Sequence, residues 1–105
     1  MPTELTTHTF DEIIGAADRP VLVDLWAEWC PHCHHLLPVL ESLEVEHGHE
    51  ILFTTLDTEA HPEVPRRYDV MGLPTMLVFR DGQLVKRLVG AKGKRQLLEE
   101  LADVL

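Results

Sequence analysis

The chain has 105 residues, 45% of them hydrophobic and 26% charged, which suits a single domain over residues 1–105 with a real core. Nine basic against eighteen acidic side chains give a formal net charge of -9, which repels nucleic acid and anionic membrane surfaces and disfavours both as partners. The N-terminal stretch Met1-Pro2-Thr3-Glu4-Leu5-Thr6-Thr7-His8 lacks the basic and apolar regions of a secretory signal, and no apolar run approaches the roughly 20 residues that cross a bilayer, so the cytosol is the expected setting.

In chain order, Glu4 to Thr7 reads as a short edge strand. Thr9-Phe10-Asp11-Glu12 fits a capping box opening a short helix that ends near Gly15. After the break at Arg19-Pro20, Val21 to Trp26 is a near-continuous β-prone apolar run, the pattern of a strand covered on both faces. Asp24 interrupts it, and a carboxylate there is desolvated and favours its protonated form unless a partner or a local solvent pocket relieves it. From Cys33 to about Gly48, Leu36, Leu37, Leu40, Leu43 and Val45 approximate helical spacing, with Pro38 expected to kink the helix. Ile51 to Asp57 is a second β-prone run, parallel to the first if the intervening helix is a crossover. Pro62 to Tyr68 predicts a short helix. Pro74 to Arg80 and Leu84 to Val89 flank Asp81-Gly82, a dipeptide suited to a tight antiparallel hairpin, and Lys92 to Leu105 closes the chain as an amphipathic helix. The sum is an α/β chain, a small mixed sheet with helices on both faces.

Both cysteines lie in Trp26-Ala27-Glu28-Trp29-Cys30-Pro31-His32-Cys33, between an apolar strand and a long helix. Two thiols two residues apart at a helix head close a small disulfide at little entropic cost, and the helix N-terminus favours a thiolate on Cys30. Pro31, at the first helical position, loses no needed hydrogen bond. Cys30 is thus the expected attacking thiol and Cys33 the resolving one. Cys-x-x-Cys beside a strand–helix–strand pattern is a thioredoxin-like redox signature. Together with Val21-Leu22-Val23-Asp24-Leu25, Pro38, Gly72-Leu73-Pro74-Thr75, Asp81-Gly82 and Val89-Gly90-Ala91, it makes the chain resemble the thioredoxin family, of bacterial type, over nearly its whole length.

That resemblance implies a thioredoxin fold, a central mixed sheet of about five strands flanked by about four helices, and a thiol–disulfide oxidoreductase that reduces protein disulfides generally. By the same resemblance, Cys30 forms a mixed disulfide that Cys33 displaces, Asp24 exchanges a proton with Cys33, and Pro74 is cis. Trp29, Leu73, Pro74, Gly90 and Ala91 then border an apolar groove for disulfide-containing proteins. It further implies a thioredoxin reductase-like electron donor and no bound cofactor beyond the Cys30–Cys33 couple; nothing in the sequence demands more than a monomer.

Two departures stand out. Many bacterial thioredoxins place a lysine where this chain is read as having Phe53, which removes an expected partner of Asp24. Between the cysteines, Pro31-His32 replaces the usual Gly-Pro and matches periplasmic disulfide oxidases; a His32 that stabilises the Cys30 thiolate makes the couple more oxidising, so an oxidase or isomerase is the alternative. Two readings of another class compete. Cys30-Pro31-His32-Cys33-His34 satisfies the short haem-attachment pattern Cys-x-x-Cys-His, in a context that otherwise disfavours haem. His32, His34 and His35 cluster with the thiols as in a metal-binding or interaction module, although five consecutive residues on one helical turn do not converge on one ion.

Overall fold

The computed structural model describes all residues from 1 to 105. Five strands form one sheet in the order β1-β3-β2-β4-β5. They are β1 (Thr3–Leu5), β2 (Val21–Trp26), β3 (Leu52–Asp57), β4 (Thr75–Arg80) and β5 (Gln83–Val89), interleaved with helices α1 (Phe10–Ala16), α2 (Pro31–His47), α3 (Glu63–Arg67) and α4 (Lys94–Leu101). β3 runs parallel to β1 and to β2, whereas β4 is antiparallel to β2 and to β5. This is the expected mixed sheet with four helices.

Alternation along β2 sorts its side chains into two cores. Leu22 joins Phe53, Met76, Leu36, Leu40 and Leu97 on the α2–α4 side. Val21, Val23 and Leu25 join Phe10, Ile14 and Phe79 on the other. Because both faces of the sheet are covered, β2 is apolar without interruption except at Asp24, which shares its face with Leu22. The Asp81-Gly82 hairpin forms as expected, with φ of 53° and 79° at the two residues, the backbone that Asp and Gly tolerate best.

Several local expectations need correction. The capping box at Thr9 to Glu12 does not form; it lies three residues earlier. Thr9 N–H donates to Thr6 Oγ1 at 3.1 Å, Thr6 N–H donates to Thr9 Oγ1 at 2.9 Å, and Phe10 N–H reaches Thr6 O at 3.0 Å. Thr6 and Thr7 are thereby drawn into the helix entry, and β1 ends at Leu5 rather than Thr7. α2, with Pro38 inside it, runs from Pro31, where Cys30 caps it, to His47. Val45 is 86% exposed and belongs to the wet face of α2, not the core. α4 is shorter than the span 92–105: Gly93 precedes it and the last residues turn, with Val104 N–H on Leu101 O at 2.9 Å, yet Val104 stays buried. No helix is long and apolar enough to cross a membrane.

Candidate active site

β2 delivers the chain to the site and α2 leads it away. Cys30 ends the connecting turn, with its N–H on Ala27 O at 3.1 Å, and caps α2: its Sγ accepts the Cys33 N–H at 3.2 Å. Pro31 occupies the first helical position, where no N–H is required. Cys30 and Cys33 are joined as a disulfide, their Cα atoms 5.3 Å apart, and only 3% and 2% of each residue is exposed. A thiolate at Cys30 keeps the Cys33 N–H and lies at the positive end of the longest helix in the fold, which stabilises the charged sulfur.

Behind the disulfide is a cavity of about 460 Å³ lined by Asp24, Trp26, Cys33, His34 and Thr55, among others. Asp24 is 2% exposed, its Oδ1 has no hydrogen-bond partner, and burial pushes its pKa up to about 7. The sheet register corrects the position assigned to its missing partner. Phe53 stands opposite Leu22 and is buried in the α2–α4 core; the residue opposite Asp24 is Thr55. Residue 55, which also lines the cavity, is where a lysine would neighbour the carboxyl.

The Leu73-Pro74 peptide, just before β4, is cis. Trp29 (66% exposed) and Leu73 meet across a shallow groove shared with Pro62, Val70 and Met71, the last 95% exposed. Pro74, Gly90 and Ala91, expected at its border, do not line this groove. Gly90 instead ties the end of β5 to the cis peptide, donating its N–H to Pro74 O at 2.8 Å with φ of 91°, a conformation that favours glycine. Glu59, which the sequence did not single out, accepts the Trp29 Nε1–H at 2.9 Å. The histidines do not form a ligand set. His32 and His35 are exposed with ring centroids 6.4 Å apart, His34 Nε2 donates to Glu28 O at 2.7 Å, and no group of three or more His, Cys, Asp or Glu is arranged to hold a metal ion.

The fold thus combines a helix-capping disulfide, a buried acid lining one cavity with Cys33, and a cis proline at the start of β4. The thioredoxin family model matches residues 1–103. The chain belongs to the thioredoxin family. It is 43% identical to a thioredoxin of Mycobacterium tuberculosis over 102 residues, covering 97% of this chain and 88% of that one. It is 40% identical to a thioredoxin of Alicyclobacillus acidocaldarius over 101 residues, 96% and 95% of the two chains. The bifunctional thioredoxin reductase/thioredoxin of Mycobacterium leprae is 43% identical over 102 residues, 97% of this chain but 22% of that longer protein. This thioredoxin-family chain is accordingly a thiol–disulfide oxidoreductase whose redox-active disulfide is Cys30–Cys33, and protein-disulfide reduction is consistent with its relatives.

Proposed function

We propose that the chain is a general protein-disulfide reductase, a single domain over residues 1–105 acting as a monomer. The observation that carries this reading is the placement of the Cys30–Cys33 pair at the head of α2, with Cys33 and Asp24 lining one cavity. In the dithiol form, the Cys30 thiolate attacks one sulfur of a substrate disulfide and the other sulfur leaves as a thiol(ate). Asp24, deprotonated, takes the proton of Cys33, whose sulfur then attacks Cys30 Sγ. The substrate departs with both sulfurs reduced, and the protein keeps the disulfide. Trp29 and Leu73 hold an extended substrate segment across the groove, and the cis Pro74, tied to Gly90, turns the backbone of Leu73 toward that segment, with Ala91 next along the chain.

A reductase must be recharged, and the reductase/thioredoxin fusion of Mycobacterium leprae supports a thioredoxin reductase-like donor as the partner. A donor of this kind works where thiols are kept reduced, which supports the cytosol as the setting. The test is reduction of insulin by the pre-reduced protein. Activity should vanish on Cys30→Ser, whereas Cys33→Ser should trap a mixed disulfide through Cys30; insulin reduction that survives Cys30→Ser would refute the proposal.

A further inference from the structure

His34 is the histidine of the cluster that does something specific. It lies in the first turn of α2, one residue beyond Cys33, and its Nε2 is 2.7 Å from Glu28 O. A carbonyl only accepts, so Nε2 carries the proton and donates. That proton is present in the Nε2–H neutral tautomer and in the imidazolium, so the bond does not depend on the charge of the ring. The imidazole is also braced edge-on against Trp26, with centroids 6.1 Å apart and planes at 73°.

The carbonyl it holds belongs to the peptide that joins Glu28 to Trp29. Fixing it fixes the backbone rotation that sets where Trp29 points. The far end of the Trp29 indole is tied independently, by Nε1 to Glu59 Oε1 at 2.9 Å. The residue forming one wall of the groove is thus held at its peptide from α2 and at its ring from the segment after β3, although it is 66% exposed and has little packing to restrain it.

We infer that His34 is a positioning residue for substrate docking: through Glu28 O it clasps the turn before Cys30 to α2 and presents Trp29 across the groove from Leu73. The inference rests on the groove being the docking surface. A preorganised wall costs the encounter less ordering, so losing the clasp weakens protein substrates and spares a small disulfide that reaches Cys30 without the groove.

The experiment compares second-order rate constants of the pre-reduced protein for insulin and for cystamine, by rapid quench and counting of free thiols, in the parent, His34→Leu, His34→Gln and Trp29→Ala. Leucine keeps apolar bulk against Trp26 but donates nothing; glutamine keeps a donor of similar reach. His34→Leu should slow insulin about fivefold, the weight of one hydrogen bond, and change cystamine by less than about twofold, while His34→Gln restores the insulin rate. An unchanged insulin rate in His34→Leu, an equal loss on both substrates, or a failure of glutamine to restore would overturn the inference. If Trp29→Ala slows insulin and His34→Leu does not, only the clasp is refuted; if Trp29→Ala leaves insulin untouched, the docking groove is refuted and the clasp falls with it.

Discussion

Asp24 and Thr55 stand opposite each other across the parallel β2–β3 ladder, so the buried carboxyl faces a neutral side chain where a cation would otherwise fit. Its pKa of about 7, against an ordinary 3.8, is caused by burial. Between these two values the folded protein holds a proton that the unfolded chain releases. Stability is therefore fully present below pH 3.8 and is lost as pH rises to about 7, by on the order of 4 kcal/mol. Asp24→Asn removes this dependence. Its urea midpoint should exceed the parent's at pH 8, with the advantage shrinking toward pH 4; parallel stability curves for the two proteins would contradict the assignment.

Lysine substitutions at residues 53 and 55 separate the two positions. Thr55→Lys places an amine at the cavity beside Asp24, and an opposite charge within ~4–6 Å lowers a carboxyl pKa by about 1–3 units. The loss of stability between pH 4 and 7 should flatten. Phe53→Lys instead puts the amine into the α2–α4 core at a residue 1% exposed and deletes an aromatic ring, at a cost of about 3–5 kcal/mol that grows further as pH falls, because burial disfavours the charged amine. Urea unfolding across pH checks both. A loss between pH 4 and 7 as steep in Thr55→Lys as in the parent would show that residue 55 does not neighbour the carboxyl.

The same carboxyl is expected to control the second half of the exchange. If Asp24 takes the Cys33 proton, release of the mixed disulfide accelerates as pH rises through about 7, and Asp24→Asn slows release by about 100-fold without a comparable loss in the first attack by Cys30. Quenched-flow separation of mixed disulfide from product resolves the two steps. Equal slowing of both would point to a packing defect instead of a lost base.

How much of this was legible in the chain depended on the range of the interaction. The strands of the sheet announced themselves through apolar runs, and Asp81-Gly82 marked its own turn because positive φ is a local demand. Cys30 and Cys33 were equally plain, since the chemistry needs only two residues of spacing and a helix head. The cap of α1 was misplaced because Thr6, Thr7 and Thr9 all carry the right hydroxyl; the choice was made by which pair reciprocated. The family resemblance points to residue 53 beside Asp24, but the register between β2 and β3 is fixed by packing that no single segment displays, and it sets Thr55 opposite the carboxyl. Val45 fits the helical period but falls beyond the stripe that the sheet covers. Glu59 meets Trp29 across 30 residues of sequence and left no pattern to find.

The residue between the cysteines bears on the direction of the couple. His32 follows Pro31 in the first turn of α2, exposed, with its ring near that of His35 in the disulfide form, where Cys30 Sγ takes its hydrogen bond from Cys33 N–H. In the disulfide form Cys30 Sγ thus takes its hydrogen bond from the backbone and not from His32. Reduction creates a thiolate at the helix head, and an imidazole that donates to it, or is cationic beside it, stabilises the dithiol form alone. A hydrogen bond to a charged group contributes about 1.5–3 kcal/mol, and ~1.4 kcal/mol corresponds to about 30 mV for a two-electron couple. His32→Leu should thus lower the reduction potential by about 30–60 mV, measured by equilibrating the protein with glutathione buffers and counting free thiols. An unchanged or higher potential would show that the imidazole stays in water, and the oxidising tendency read from Pro31-His32 would have no basis in this protein.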